Sequence, residues 1–488
     1  MKIYNFKWKL FDIEYSSIKI SELEKSDKRM DAEFYSVFNI ENVNIINRKN
    51  CLFLSDISWK ITDGTHQTPT YINDWVPFLS ALNVLENSIE YNSYKFISNE
   101  EHNRLIKRAK VDEWDILLRK VWVWARHAWV VNIKPFDYSI FVSVALIKLL
   151  SEYKNINYYI STFINSFYGQ FQLLRFNKWI SQPDLHLEDI AKLKIPIPSE
   201  DFQQKIKELI IKSTEEKELS EKLYKESENL ILNELWLFDY WLKTKNIKLD
   251  WDYELEVEEN HSTTNYNILK ELDRFDAEYW DYKYLEIISK IKNYKYWYDK
   301  IWNLFKNKKR SIKTYNEDFC NYLEIWWINI DSWETNYSYM NINVLPWWNK
   351  KLLKKWDVVI SKVRTYRWWI AIIKDDNIIW TWALTVLKNN WNINQETLFI
   401  FLKSKPILEL TLKFNTWTSY PTLNDEDITN LYIPKFNIEI QENIKKNINK
   451  SFEAKNKSKN LLEVAKKAVE IYIEKEEKDW FDYIKNNS

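Results

Sequence analysis

Basic side chains concentrate in two stretches of the chain, one from Arg104 to His127 and one from Lys306 to Arg367. Lysine and arginine bind phosphate groups, and arginine also pairs with the edges of nucleic-acid bases. Corresponding strand–turn positions carry the candidate contact residues, which are Arg119, Lys120, Arg126 and His127 in the first stretch and Lys362, Arg364 and Arg367 in the second. Each of them taken alone is equally compatible with a solvated surface charge. The pattern as a whole favours a partner rich in phosphate.

A second candidate is the segment Asp63-Gly64-Thr65-His66, which holds one of only two glycines in the chain. Thr65 and His66 could bind a ligand through their hydroxyl and imidazole groups. The same residues also suit a tight turn, because Asp and Thr side chains bond to nearby backbone groups. Both interpretations remain open from the sequence.

Catalytic and metal-binding motifs are missing from the sequence. There is no NPPY-type methyltransferase motif, no GxxxxGK[ST] phosphate loop and no HExxH, and placing glycine at the tryptophan positions creates none of them. Cys51 and Cys320 are far apart and have no His or Cys partner at metal-ligand spacing. We therefore expect neither a catalytic site nor a metal or other cofactor.

The composition indicates a globular protein with several domains. The 488 residues carry 70 basic and 70 acidic side chains, so the net charge is zero, and 45% of the residues are hydrophobic. Neutrality does not exclude a nucleic-acid reader whose basic residues lie on one face. The sequence has no apolar run long enough to span a membrane and no secretory signal, so we expect a cytoplasmic protein.

The numbers of glycine and tryptophan are abnormal. The chain has 2 Gly and 27 Trp, whereas average usage would give roughly 34 glycines. Many tryptophans occur where a turn requires glycine, as at Trp114 and Trp356. We infer that UGA codons are read as glycine in the source and are rendered as tryptophan in this sequence. The alternative is a protein truly rich in tryptophan, with aromatic platforms that bind carbohydrate.

An internal repeat organises the chain. Residues 176–206 and 414–444 align without a gap at an offset of 238, with thirteen identities besides the aligned prolines Pro196 and Pro434. Residues 29–35 match 274–280, and residues 113–121 match 355–363. The chain is therefore two copies of one unit, each followed by a helical segment.

The predicted elements of the two copies correspond. Runs rich in β-formers predict strands at 115–123, 128–133 and 139–147, and their counterparts lie at 357–363, 369–374 and 383–388. The IPIP and YIP sequences at 195–198 and 432–434 predict the last strand of each copy.

Two long amphipathic helices are predicted at 199–236 and 437–475, where Glu, Lys, Leu and Ile dominate. Ser213 is equivalent to Ser451 in the repeat, and Ser220 is equivalent to Ser458. Such small residues allow two helices to approach closely. We expect the helices to pack on each other, antiparallel, as in a coiled coil. The larger residues of this partner-helix seam are Phe202, Ile206, Leu223, Leu230, Ile440, Ile444 and Leu461.

The expected fold class is α+β, with two mixed α/β domains separated by two long antiparallel, coiled-coil-like helices and related by a pseudo-twofold internal repeat. The predicted bounds are 1–198 for the first domain, 199–245 for the central helix and linker, 246–436 for the second domain and 437–488 for the C-terminal helix.

The order of motifs resembles one known family. ITDGTHQTPTY (61–71), VPFLSALNV (76–84), EWDILLRKV (113–121) and the segment 180–206 follow one another as in the specificity subunit of type I restriction–modification systems. The second copy resembles the same domain more loosely, with YLEIWWINIDSWE (322–334) in place of FLSALNV and no DGTH segment.

The resemblance implies a non-catalytic reader of double-stranded DNA. Each target-recognition domain would read one half of a split sequence, and the helices would act as a spacer and as the dock for two methyltransferase subunits, with restriction/translocase subunits joining through the complex. A helix of about 38 residues is roughly 57 Å long, enough to hold two readers about one DNA turn apart. The basic strand–turn residues, with Thr65 and His66, are then the expected DNA contacts.

Two alternatives remain. The chain could be the recognition subunit of a type IIB-like complex, whose partner fuses nuclease and methyltransferase. It could also be an aromatic-rich carbohydrate-binding protein, which would require genuine tryptophans.

Overall fold

A computed structural model describes residues 32–86, 88–121, 126–176, 185–237, 279, 281–307, 318–330, 334–345, 351–367, 369–389, 393–414 and 421–487. The chain divides into two compact units. The first comprises Met1–Lys217 and Lys455–Ser488, and the second comprises Glu218–Ala454. Both divisions fall inside long helices, whereas the predicted bounds treat each helix as a separate segment. The predicted boundary at 245–246 lies outside the described residues.

The helices of the two units alternate with strands along the chain. The first in chain order are α1 (Val37–Ile46), α2 (Leu54–Ile57), α3 (Asn99–Ala109), α4 (Asn157–Asn165), α5 (Phe167–Arg175), α6 (Leu187–Ala191) and α7 (Glu200–Glu234), and α7 continues into the second unit. Those that follow are α8 (Tyr282–Lys292), α9 (Ile301–Leu304), α10 (Gln395–Lys403), α11 (Lys405–Leu412), α12 (Asp425–Thr429), α13 (Ile438–Glu474) and α14 (Glu477–Asn487).

The strands are short, and each copy of the repeat contributes a similar series. The first unit contains β1 (Cys51–Phe53), β2 (Ser58–Asp63), β3 (Val76–Leu79), β4 (Lys95–Ile97), β5 (Ile116–Arg119), β6 (Ala128–Val130), β7 (Ser139–Ile140), β8 (Val144–Leu149) and β9 (Lys194–Pro196). The second contains β10 (Tyr298–Lys300), β11 (Phe305–Asn307), β12 (Phe319–Leu323), β13 (Ser338–Asn341), β14 (Lys351–Leu353), β15 (Val358–Ser361), β16 (Ile370–Ile372), β17 (Ile378–Trp380), β18 (Leu384–Asn389) and β19 (Tyr432–Pro434).

The same sheet is built twice. In the first unit the central antiparallel sheet has the order β2-β8-β5-β6, and in the second it has the order β11-β18-β15-β16. A two-stranded sheet joins β1 to β9 in the first unit and β10 to β19 in the second. Strands β5, β8, β15 and β18 are lined by buried apolar side chains, which explains why their sequences read as continuous β-formers.

A second sheet repeats a parallel pair in matching register. Phe78 and Leu79 of β3 lie opposite Ser139 and Ile140 of β7. In the second unit, the corresponding pairs join Tyr322 and Leu323 of β12 to Ile379 and Trp380 of β17. The predicted strand at 139–147 is therefore wrong as a single strand, because residues 139–140 and 144–149 belong to different sheets.

The predicted fold class is confirmed: each unit mixes helices with antiparallel sheet, and two long helices pack against each other. In the first unit Ser213 Oγ donates to the carbonyl of Ser458 at 2.9 Å, and Phe202 stacks on Tyr472. Phe202, Ser213 and Ser220 of α7 meet Tyr472, Ser458 and Ser451 of α13 in that order. Residue numbers increase along one helix as they decrease along the other, so these segments run antiparallel. None of the described helices combines the length and the apolar character that a membrane span requires.

Within the described ranges, six non-glycine residues have a positive φ, and four of them are tryptophan. Trp114 and Trp356, equivalent in the repeat, have φ of 74° and 71°. Each is the third residue of a turn closed by a backbone hydrogen bond, from Asp115 N to Asp112 O and from Asp357 N to Lys354 O. A type II turn needs glycine or asparagine at this position, so both backbones support the inferred glycines.

Helix α7 ends in a glycine-type cap formed around a tryptophan. Trp236 has φ of 53°, its N–H donates to Asn233 O, and the N–H of Leu237 donates to Leu232 O at 2.9 Å. These two bonds define a Schellman motif, and Leu232 and Leu237 are both buried in the same core. The Trp236 side chain itself is 82% exposed and contributes little to that core.

Replacing Trp236 by glycine should stabilise the protein. A residue with a Cβ costs about 1–2 kcal/mol in the left-handed region, so Trp236→Gly should raise the melting temperature of the full chain. Trp236→Ala is the matched control, because it removes the indole but keeps the Cβ, and it should give no comparable gain. Peptide mass spectrometry of protein from its source should find glycine at 114, 236 and 356. Tryptophan there, or equal melting of the two variants, would contradict the inference.

Candidate nucleic-acid interface

A buried ion pair lies at one end of the central sheet of the first unit. Strands β2 and β5 both flank β8, and Asp63 and Leu118 lie opposite the small residue Ala145. Asp63 at the end of β2 can therefore reach Lys120, which follows β5. The Lys120 ammonium donates to Asp63 Oδ2 at 2.8 Å, and the two residues are only 3% and 1% exposed.

The side chains of Arg108 and His66 share the other oxygen of the same carboxylate. Asp63 Oδ1 contacts the guanidinium of Arg108 and lies 3.3 Å from His66 Nε2. The side chains of Arg108 and His66 are 53% and 61% exposed, so they face solvent. Lys120 thus neutralises Asp63 from inside, while Arg108 and His66 form its solvent-facing side.

The turn after β2 is fixed by close backbone packing. A Cβ on Gly64 would lie 1.9 Å from the carbonyl oxygen of Ile140, so only glycine fits. Thr65 N donates to Ile140 O, and Thr65 O accepts from Val142 N at 3.0 Å. Thr65 Oγ1 also bonds to the backbone of Gln67. The predicted turn is therefore present, and it leaves the imidazole of His66 exposed.

Helix α3 brings arginines to the same place. Ser98 caps its first turn, which carries Glu100 and Glu101, and basic residues occupy its last turn, so the ends complement the helix dipole. Arg104 and Arg108 are four residues apart and share one helix face. Arg104 also pairs with Glu101 at 2.7 Å.

A surface cavity of about 340 Å³ lies between this turn, α3 and β7. Its wall includes the side chains of one histidine and two arginines, and among the described lining residues there is no carboxylate. The lining residues are Gly64, Thr65, His66, Gln67, Arg104, Leu105, Arg108, Ala109, Ser139 and Ile140. Thr65 and His66 are among the DNA contacts expected from the sequence, where Asp63 belongs to the same candidate segment and Arg108 to the first basic stretch. The four-residue spacing of Arg104 and Arg108 was the available signal.

The charge of Asp63 depends on its cationic neighbours. Burial raises the pKa of the Asp63 carboxyl, but the hydrogen bond and charge of Lys120, with the charges of Arg108 and His66, outweigh burial and hold that pKa below its ordinary value of 3.8. Because the folded pKa is depressed, the stabilisation is complete above 3.8 and is lost as the pH falls through the lower, folded value.

Asp63→Asn should lower the melting temperature at neutral pH, because it leaves the buried Lys120 ammonium without its carboxylate, at a cost of about 3–5 kcal/mol. The difference from wild type should shrink as the pH falls below about 4, and it should vanish only below the depressed folded pKa, where the carboxyl is protonated in the folded protein as well. Asp137→Asn is the control, since Asp137 forms an exposed pair with Lys134 and such pairs contribute about 0–1 kcal/mol. A destabilisation of Asp63→Asn that does not change with pH would contradict the pairing.

The predicted contact residues at the strand–turn position of the first unit have internal roles. Arg126 is fully buried and donates to the carbonyl of Leu173 at 2.8 Å. Arg119 is buried and donates to the carbonyl of Ala81, and Lys120 is held by Asp63. His127 is half-buried, and burial lowers the pKa of its imidazole despite the nearby Glu86 carboxylate. These contacts favour structural roles for the four residues, and their contact with DNA stays a prediction from the sequence.

The corresponding segment of the second unit is more open. Arg367 is exposed at the end of a short 3-10 helix, Thr365–Arg367. Arg364 is half-buried with φ of 46°, and its N–H donates to the carbonyl of Pro421. Lys362 pairs with Asp425 at 3.4 Å. Several other basic residues of this stretch (308–310, 313 and 350) lie outside the described residues.

The predicted seam residues lie in the cores of the units or at their edges. Phe202, Ile206 and Leu461 belong to the core of the first unit, and Ile444 belongs to that of the second. Leu230 and Ile440 pack at the edge of the second core, and Leu223 is half-buried.

Four serines form direct contacts across the seam. Ser213 contacts Ser458 in the first unit, and Ser220 Oγ lies 3.0 Å from Ser451 Oγ in the second. All four are buried. Because the repeat relates Ser213 to Ser451 and Ser220 to Ser458, each unit contains the same contact with the two helices exchanged.

Ser220→Leu should destabilise the second unit, because a larger side chain at this contact forces the helices apart at a cost of about 1–3 kcal/mol. A lower unfolding midpoint in thermal melts is the expected result. Leu219→Ser is the control, since Leu219 is the exposed neighbour on the same helix. Equal melting of Ser220→Leu and wild type would show that the helices do not require close approach here.

Within the part of the chain that the structure describes, no group of three or more His, Cys, Asp or Glu side chains is placed to hold a metal ion. Cys320 is buried and Cys51 is half-buried, and neither forms a disulfide.

No family model matches the chain, and no curated protein matches its sequence. The solved structures that match the chain include the following three. The type I restriction–modification S subunit from M. genitalium shares 10% identity and a TM-score of 0.42, covering 88% of this chain and 96% of that one. A chain from a study of complex assembly and conformational transition of the type I R-M system shares 11% identity and a TM-score of 0.29, covering 86% and 97%.

The HsdS subunit from Thermoanaerobacter tengcongensis shares 9% identity and a TM-score of 0.26, covering 87% of this chain and 96% of that one.

Proposed function

We propose that this chain is a DNA-specificity subunit of a type I restriction–modification complex and reads a target in two parts. The observation that carries the proposal is the duplication of an entire domain. Both copies contain the same central sheet, the same parallel pair in matching register and a terminal strand, and each is followed by a long helix. A duplicated domain with a duplicated helix suits a partner that presents two half-sites.

Positive charge on both copies supports DNA as that partner. In the first unit Arg104, Lys107, Arg108 and Lys110 are all exposed on or directly after α3. In the second unit Arg367 is exposed, next to the half-buried Lys362 and Arg364. Phosphate contacts by such residues give affinity, and arginine at a base edge gives sequence choice. Together with Thr65 and His66, these are the residues we propose for the interface.

In the proposed complex, partner subunits supply the catalysis. The sequence motifs for methyl transfer and strand cleavage would be in partner subunits, two methyltransferase subunits and, through them, restriction/translocase subunits. The long helices are the proposed dock, because α7 and α13 carry many charged residues away from the serine seam. The proposed location is the cytoplasm, where its DNA target and partners would be.

The alternatives differ in their partners. A type IIB-like recognition subunit would share these features and would bind a single protein that carries both nuclease and methyltransferase. The carbohydrate-binding alternative requires genuine tryptophans, and it is weakened because Trp75, Trp114, Trp236 and Trp356 have backbones that favour glycine.

Selection of DNA from a random-sequence pool tests the proposal. The full chain, purified with its methyltransferase partner, should enrich duplexes with two short conserved blocks separated by a gap of fixed length and free sequence. Affinity should fall steeply with salt, as for any protein that neutralises several phosphates. Enrichment of one continuous block, or of no sequence by a complex that is intact, would contradict the proposal. A glycan-binding assay on the same sample addresses the carbohydrate alternative.

A further inference from the structure

The cavity beside the Asp63 cluster carries more positive than negative charge. One carboxylate, Asp63, faces two permanent cations, Lys120 and Arg108, and the imidazole of His66. Lys120 is as deeply buried as Asp63, and its ammonium lies 2.8 Å from Oδ2. The inner pair therefore cancels, and the charge of Arg108 remains at the mouth of the cavity. Arg104 adds a second guanidinium, partly balanced by Glu101.

The side chains of Arg108 and His66 are held in place before any ligand arrives. Arg108 and His66 both contact Asp63 Oδ1, and Arg108 Nη2 lies 3.4 Å from His66 Nε2. The carboxylate cannot move easily, because Lys120 holds its other oxygen and Gly64 packs against the backbone of Ile140. Such fixation lowers the conformational entropy that a charged side chain loses on binding.

We propose that this cavity binds a phosphate of the DNA backbone, with Arg108 and His66 as the contacting residues and Asp63 as the residue that positions them. The inference rests on the proposed function, because it names a contact within the first DNA-reading unit. The exposed side chain of Arg108 offers a planar guanidinium, which matches a phosphate bidentately. In the second copy, the sequence lacks the DGTH segment, so this contact belongs to the first half-site alone.

A phosphate is favoured over a base edge by the lining itself. Among the described residues of the wall, the charged groups are guanidinium groups, with imidazole, hydroxyl and amide groups beside them. Reading a base requires a pattern of donors and acceptors in a fixed order, whereas this wall presents clustered positive charge around one point. The contact should therefore contribute equally to binding of every DNA sequence.

The test compares the salt dependence of DNA binding for the full chain with its methyltransferase partner. Arg108→Gln should weaken binding to a short duplex of random sequence about tenfold at low salt, as for loss of one charged hydrogen bond. It should also reduce the slope of log affinity against log salt by about 0.9, the value for one phosphate. His66→Gln should act in the same direction. Arg48→Gln is the matched control, an exposed arginine after α1 in the same unit, and should leave the slope unchanged.

The outcomes separate this inference from the proposed function. If the wild-type complex does not bind DNA, the proposed function fails. If the wild-type complex binds and Arg108→Gln binds with the same affinity and slope, only the phosphate site is overturned. If Arg108→Gln keeps the slope but relaxes preference at one base position, the residue contacts a base, which also overturns the phosphate site. Circular dichroism spectra and melting of Arg108→Gln should match wild type, because the inner Asp63–Lys120 pair is intact.

Discussion

The close approach of α7 and α13 is the contact on which both units depend. Each unit is completed by a helical segment from a distant part of the chain: residues 455–488 pack into the core of the first, and residues 218–234 pack into the core of the second. Small buried residues make this possible, because the serine contacts leave room for two backbones to lie side by side. Charged residues cover the remaining helix faces. Since the cores include residues from both helices, the helices are part of the folded units and not appended spacers.

The duplication covers the central sheet, the parallel pair and the terminal strand, but the small sheet gains the strand β14 in the second unit and the surface residues differ. Sheet order, parallel register, turns and seam contacts recur in both units. The Asp63 cluster lies in the first unit, whereas Lys362 of the second pairs with Asp425 on α12. Two domains with one scaffold and different surface cations suit the reading of two different half-sequences. The duplicated turns at Trp114 and Trp356 also show why glycine is expected in both copies: the same backbone recurs wherever the same strand begins.

The sequence predicted those features that depend on local pattern. Long runs without helix breakers predicted α7 and α13, and clusters of β-formers predicted β5, β6, β15, β16 and β18. Features that depend on tertiary contacts could not be predicted from the sequence. Arg126 looks like a surface arginine until the carbonyl of Leu173 is seen beside it, and Asp63 meets Lys120, 57 residues later, only because β8 lies between β2 and β5. Residues 139–147 are divided between two sheets because the chain turns at 141–143. The run of β-formers continues through this turn, so the sequence pattern does not predict it.

The central claim is that two copies of one domain read two parts of a single DNA target. Methylation-aware sequencing of a genome in cells that express this chain with its methyltransferase partner tests it most directly. The account predicts N6-methyladenine at one motif made of two specific blocks with a fixed gap of free sequence between them. Methylation at a single continuous motif would contradict the claim. So would a methylated motif in which both blocks stay equally specific after the surface arginines of one unit are replaced.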